Sequence, residues 1–180
     1  SGRKRGGIMK QKLLNILLIV LAFTVQNCVF PHISFLSASP NLLLILTFSI
    51  GFIHGKEGGM FCGLCSGILL DLFYSGPFGF FTLFYIWMGY LNGIFTKYYY
   101  EDYITLPLLL SLINDFAYNM YIYVFSFLIR NRLDFFYYFI NIMVPEIIFT
   151  VITTLLIYRI VLISTKKIEE WEQRRDTTIV

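Results

Sequence analysis

The sequence is poor in charge, and this shortage excludes whole classes of protein. Only 14% of its 180 residues are Asp, Glu, Lys or Arg, whereas 57% are hydrophobic. A soluble domain of this length needs more polar surface. The net charge is +3, but Arg3, Lys4 and Arg5 lie in residues 1–8, which resemble a cloning leader before a native start at Met9. Without those three charges the net charge is 3 − 3 = 0, which argues against a nucleic-acid partner.

Cysteine is also scarce. Cys28, Cys62 and Cys65 are too few in so apolar a chain for a disulfide framework. Cys62 and Cys65 have CxxC spacing, but a redox motif needs an accessible helix start and a zinc site needs four ligands. We interpret them as small side chains in a helix interface. The sequence contains no nucleophile–base pattern, metalloprotease motif, P-loop or dinucleotide fingerprint, so we predict no enzyme, no cofactor and no metal site.

In place of charge, the chain has a series of apolar runs. We predict an all-α integral membrane protein with six transmembrane helices in one domain, residues 9–164, and a cytoplasmic helical tail at 165–180. The predicted helices are 13–30, 42–54, 58–74, 80–96, 104–129 and 146–164. The first is interpreted as a retained helix and not as a signal peptide.

Two of these runs depart from the simple pattern of a membrane span. Residues 42–54 are short, since ~30 Å of hydrocarbon takes about 20 residues. They predict either a tilted or kinked span or a re-entrant hairpin with the following helix. The aromatic run 135–143 precedes the last helix, and Pro145 is predicted to break the helix there because its ring cannot continue an intact helical ladder.

Basic residues are distributed unequally between the two predicted faces. With six spans, only Arg130 and Arg132 fall on the face opposite the termini. The other basic positions fall in or near the face of the termini: Lys10, Lys12, Lys56, Lys97, Arg159, Lys166, Lys167, Arg174 and Arg175. The positive-inside rule therefore predicts cytoplasmic termini in a multi-pass protein.

Glycines form a ladder on the third predicted helix. Gly59, Gly63 and Gly67 recur every four residues and therefore share one helix face. In lipid such faces let two backbones approach closely. Gly89 and Gly93 give the next helix a second stripe of this kind. We predict that these faces accept a closely packed helix, either from this chain or from a partner.

Three carboxylates lie in or beside the predicted spans, namely Asp71, Asp115 and Glu146. A charge at the bilayer centre costs at least ~2.5 kcal/mol, so each group needs a partner, a cavity or a proton. One interpretation is a proton or ion relay. The other is polar pinning of helices and turns, with Asp71 capping the turn at residues 75–79.

Several short motifs then match one known family in the same order along the chain. They are Pro40-Asn41, Leu69-Leu70-Asp71-Leu72-Phe73, Ser75-Gly76-Pro77-Phe78-Gly79, Gly89-Tyr90-Leu91-Asn92-Gly93 and Pro145-Glu146. From Met9 to about Ser164 the chain resembles the rod shape-determining protein MreD family. Asn41 stands where an aspartate is common in that family, which puts in doubt a role that needs a charge there.

The resemblance implies a non-enzymatic scaffold of the bacterial inner membrane that helps regulate cell shape and peptidoglycan synthesis. It implies direct binding to MreC, and through the complex a connection to MreB filaments, RodA and a class B penicillin-binding protein. It also implies a bundle similar to the substrate-binding S-components of energy-coupling-factor transporters. Asp71 and the turn residues Gly76, Pro77 and Gly79 are expected near the extracytoplasmic segment of MreC.

The same architecture leaves an alternative of a different class. A small-molecule-binding subunit of a membrane transporter would need intramembrane polar groups around a pocket. The candidates for such a lining are Asn41, Asn92, Asp115, Asn119 and Glu146.

Overall fold

The computed structural model describes residues 2–30, 39–98, 104–125 and 135–177, and nearly all of these residues are helical. The predicted all-α class is therefore confirmed. The helices are α1 (Gly2–Thr24, continued by a π turn at Val25–Val29), α2 (Leu42–Phe73), α3 (Phe80–Ile94, followed by a 3₁₀ turn at Phe95–Tyr98), α4 (Thr105–Tyr123), α5 (Phe135–Tyr138) and α6 (Val144–Thr177). A π turn at Phe139–Met143 joins α5 to α6.

Helix α2 is a hairpin of two helical arms. Gly55 has φ 82° and ψ −172°, a conformation that interrupts the helix and that glycine tolerates. The arms, residues 42–54 and 56–73, then lie against each other. The Thr47 hydroxyl is 3.9 Å from the Cys62 sulfur, and a Cβ on Gly51 would lie 3.4 Å from the Gly59 Cα. The short run 42–54 is therefore one arm of a hairpin with the next helix.

The first arm of α2 is the core of the molecule. Every residue from Leu42 to Phe52 is buried, on all faces of the helix. A helix that is apolar all round is expected in such a position. The arm is about 20 Å long at 1.5 Å per residue. Because its sides contact protein and not lipid, a length below that of a full span is accommodated.

The neighbouring helices enclose this arm through hydrogen bonds as well as apolar contacts. The Leu43 amide donates to the Gln26 side-chain oxygen at 3.3 Å, beside α1. The Gly51 carbonyl accepts from the Thr96 hydroxyl at 3.1 Å, just after α3. At its far end, His54 contacts Gln11 of α1 and lies 3.3 Å from the Thr165 hydroxyl of α6. The arm is therefore held at both of its ends.

Helix α3 packs on the second arm of α2 along the glycine ladder. A Cβ added to Gly59 would lie 2.3 Å from the Gly89 carbonyl oxygen, and one added to Gly63 would lie 2.2 Å from the Tyr85 carbonyl oxygen. At Gly67 the nearest atom would be the Thr82 Cα, at 2.3 Å. The ladder thus accepts a helix of the same chain in direct backbone contact.

The outer faces of the helices are apolar. Large exposed hydrophobic side chains lie on α1, α3, α4 and α6, among them Leu13, Leu17, Trp87, Ile113, Ile152 and Leu156. Exposed apolar surface of this extent is typical of contact with lipid or a partner. Among the residues that the structure describes, Met9–Val29 and Phe135–Ile168 are long and apolar enough to cross a membrane.

The predicted break at Pro145 is wrong, because the helix continues through it. The Val144 amide donates to the Phe139 carbonyl, five residues back, which gives the wider turn of a π-helix. In a regular α-helix the ring of Pro145 would clash with the carbonyl four residues before it. The widened turn just before Pro145 relieves this clash.

Other predictions fall partly outside the described ranges. The predicted fifth helix, 104–129, corresponds to α4, but residues 126–129 are outside them. The same holds for Arg130 and Arg132, the two basic residues that weaken the predicted topology. In the predicted tail, α6 continues without interruption as far as Thr177.

Candidate functional site

Asp71 caps the N-terminus of α3 from the end of α2. The cap position of α3 is Gly79, which has φ 97° and no side chain to accept a hydrogen bond. The Asp71 carboxylate accepts the backbone amides of Gly79 (3.0 Å), Phe81 (2.9 Å) and Thr82 (3.0 Å), and the Thr82 hydroxyl at 2.5 Å. A carboxylate is favoured at this position because helix N-terminal amides carry partial positive charge.

The turn between α2 and α3 is held at both ends, by Tyr74 at its start and by the Asp71 cap at its end. Tyr74, at the end of α2, donates its hydroxyl to the Asn27 side-chain oxygen at 2.6 Å, which ties the turn to the end of α1. Gly79 requires its positive φ, whereas a Cβ added to Gly76 would lie in open space, with nothing within 4 Å. Of the predicted turn residues, Gly79 is therefore the one with a clear conformational need.

A polar layer lies deeper, where α4, α6 and the start of α2 meet. Asn41 is its hub and is 3% exposed. Its side-chain oxygen caps α2 by accepting the Leu44 amide at 3.2 Å, and it also accepts the Tyr85 hydroxyl at 2.9 Å. Its backbone amide donates to the Thr150 hydroxyl at 3.2 Å. The uncharged side chain of Asn41 thus joins α2 to α3 and its backbone amide contacts α6, a role that needs no negative charge at this position.

Two further contacts join α4 to its neighbours. Ser111 and Thr154, both buried, share a hydrogen bond of 2.7 Å between α4 and α6. Asn92 and Asn114 donate to each other's side-chain oxygens, at 2.6 and 2.9 Å, between α3 and α4. Asn92 was among the predicted residues, whereas Asn114 was missed. The position of Asn114 three residues after Ser111, on a small and polar helix face, is the signal that could have found it.

Asp115 and Glu146 are brought together, on α4 and α6. Glu146 interacts electrostatically with Asp115 and with the Asn119 side chain. Asn119 is 1% exposed and accepts the Tyr138 hydroxyl at 3.3 Å. Asn92 does not join this group, since its amide is paired with Asn114. The polar residues predicted for one pocket are therefore divided between two places.

Most of the chain matches one known protein family. The model of the family "rod shape-determining protein MreD" matches residues 8–168. The chain belongs to the MreD family. Its match includes α2 and α3, the Asp71 cap and the polar layer. Searches of curated proteins and of solved structures give no match.

Membership of the MreD family establishes the general nature of the chain. It is a membrane protein connected with cell shape, in a family of structural shape-determining proteins and not in a known enzyme family. The polar groups described above are consistent with a structural protein, because almost all of them pair with one another and hold helices together.

Proposed function

We propose that this chain is a non-enzymatic scaffold of the bacterial inner membrane that binds MreC directly. Through MreC it would connect with MreB filaments, RodA and a class B penicillin-binding protein, and so help regulate peptidoglycan synthesis. The single observation that supports this proposal is the family match over residues 8–168.

The proposal includes a topology of six spans with both termini in the cytoplasm. The two arms of α2 then cross in opposite directions, and the α2–α3 turn faces the extracytoplasmic side. The distribution of Lys and Arg supports this orientation. We further propose that the bundle is similar to the S-components of energy-coupling-factor transporters, which fits a helical bundle built around a buried hairpin arm.

The surface around the α2–α3 turn is the part we propose for MreC. Leu72, Phe73 and Phe78 are 65%, 70% and 73% exposed there. Leu72 and Phe73 directly follow Asp71, and Phe78 directly precedes Gly79. Three hydrogen bonds from backbone amides to Asp71 hold Gly79 and the first turn of α3 in place. A rigid turn that presents large apolar side chains is a typical anchor for a partner protein.

Co-purification tests the proposal. A tagged chain extracted in mild detergent should retain MreC, and Phe78→Ser should release it while the unfolding temperature stays unchanged. Phe95→Ser is the matched control, since Phe95 is 41% exposed at the end of α3 opposite the turn. Loss of MreC in both variants, or in neither, would argue against this surface. Failure of the unmodified chain to retain MreC would refute the scaffold.

A further inference from the structure

Asp115 is a buried carboxylate without the hydrogen bonds that a buried charge needs. Its side chain is 0% exposed, and neither carboxylate oxygen accepts a hydrogen bond of normal geometry from any residue that the structure describes. Asp71 in the same protein shows the contrast, with four donors on its two oxygens. An uncompensated buried charge costs several kcal/mol. The carboxylate of Asp115 therefore needs either a nearby positive charge or a proton of its own.

The side chains around Asp115 have little left to donate. Thr150 is close enough to interact with it, but this hydroxyl already accepts the Asn41 amide at 3.2 Å and has one hydrogen of its own. Asn119 donates from its amide to the backbone carbonyl of Asp115 at 3.1 Å, and it also interacts with Glu146. The surroundings therefore supply at most one donor to the Asp115 carboxylate.

The other titratable groups that face Asp115 do not supply a positive charge. Among the described residues, the titratable groups that interact with Asp115 are acids or phenols on four helices: Tyr85 on α3, Tyr118 on α4, Tyr138 on α5 and Glu146 on α6. Glu146 adds a second negative charge to the same region. The site is therefore rich in oxygen and short of one or more positive charges.

We propose that Asp115, Glu146, Asn119 and Thr150 form an occluded site for a small monovalent cation, a proton or an alkali metal ion, that neutralises Asp115. Carboxylate, amide and hydroxyl oxygens are the donors that hard cations prefer. One positive charge is sufficient to neutralise the single carboxylate of Asp115, so the proposed ion is monovalent.

This site is independent of the proposed binding of MreC. It lies between α4 and α6, whereas the surface proposed for MreC is the α2–α3 turn. The cation would hold α4 and α6 together, because Asp115 lies on α4, whereas Glu146 and Thr150 lie on α6. The inference can therefore fail while the scaffold proposal stands, and the reverse is also true.

Thermal unfolding of the full chain in lipid nanodiscs tests the site. The midpoint is measured in sodium chloride and in choline chloride of equal ionic strength, each at neutral and at mildly acidic pH. Choline is too large for an occluded site. A higher midpoint in sodium than in choline identifies an alkali metal ion, and a rise of several degrees on acidification in both salts identifies a proton. Either dependence should be lost in Asp115→Asn, whose amide is neutral and nearly the same shape.

A wild-type midpoint that is the same in all four conditions would overturn the inference. A dependence that persists in full in Asp115→Asn would overturn it as well, because the cation would then bind elsewhere. Should Asp115→Asn fail to accumulate, Thr150→Val provides a second variant that leaves both carboxylates in place. It should reduce a sodium stabilisation, because one oxygen ligand is lost, or enlarge an acid stabilisation, because the Asp115 carboxylate loses its one donor. An unchanged effect would count against the site.

Discussion

The backbone contact between the second arm of α2 and α3 can be tested directly by the substitution Gly59→Ala. A Cβ at Gly59 would lie 2.3 Å from the Gly89 carbonyl oxygen and 2.7 Å from the Gly51 Cα. Ordinary contact begins at 3.4 Å, so α3 must move away by 3.4 − 2.3 = 1.1 Å and the first arm of α2 by 3.4 − 2.7 = 0.7 Å. Because both obstructing atoms belong to the backbone, no change of rotamer can relieve the contact.

The expected loss of stability follows from two opposing terms. Overpacking costs roughly 1–3 kcal/mol, and a contact blocked on two sides by backbone belongs at the upper end of that range. Alanine is favoured over glycine within a helix by about 1 kcal/mol. The net expectation is a destabilisation of about 2 kcal/mol. For a chain of this size that corresponds to a fall of about 4–8 °C in the unfolding midpoint.

Thermal unfolding of the detergent-purified protein, followed by size-exclusion chromatography, measures this effect. Gly76→Ala is the matched control, since a Cβ there has nothing within 4 Å and should leave the midpoint unchanged. Equal midpoints for the two variants would refute the reasoning, because the second arm of α2 and α3 could not then be in backbone contact.

Two other changes test the polar contacts. Asp71→Ala removes the acceptor for three backbone amides and one hydroxyl, so little folded protein should be recovered. Thr82→Val removes only one hydrogen bond and should lower the free energy of unfolding by about 1 kcal/mol. Equal effects of the two substitutions would contradict the capping role of Asp71. A double-mutant cycle with Asn92→Ala and Asn114→Ala should give a coupling free energy of roughly 1 kcal/mol, as expected for two hydrogen bonds between membrane helices. Additive losses would show that the two amides do not pair.

Local features of this chain could be predicted because short-range rules determine them. The all-α class follows from apolar runs, and the small faces of Gly59, Gly63 and Gly67 follow from their spacing. The capping interpretation of Asp71 likewise depends on residues close by in sequence. In each case the sequence separation is small enough for helical periodicity or turn chemistry to act.

The remaining features depend on contacts between distant segments. The pairing of Asn92 with Asn114 requires one particular shift of α3 relative to α4 along their axes. The spacing of residues within either helix does not determine that shift. The short run 42–54 remains compatible with a tilted span and with a re-entrant arm, because each would pack it antiparallel to the next helix across Gly55. The continuous helix through Pro145 depends on a π turn, for which sequence periodicity gives no signal.

The enclosed first arm of α2 has a consequence for how the protein responds to the bilayer. A membrane that becomes thinner or thicker acts on the helices that contact lipid, by tilting or stretching them at a modest cost per ångström. Residues 42–52 are buried among the other described helices, so this force reaches them chiefly through their neighbours. Changes in the hydrophobic thickness of the bilayer should therefore tilt α1 and α6, while the first arm of α2 keeps its own length and position.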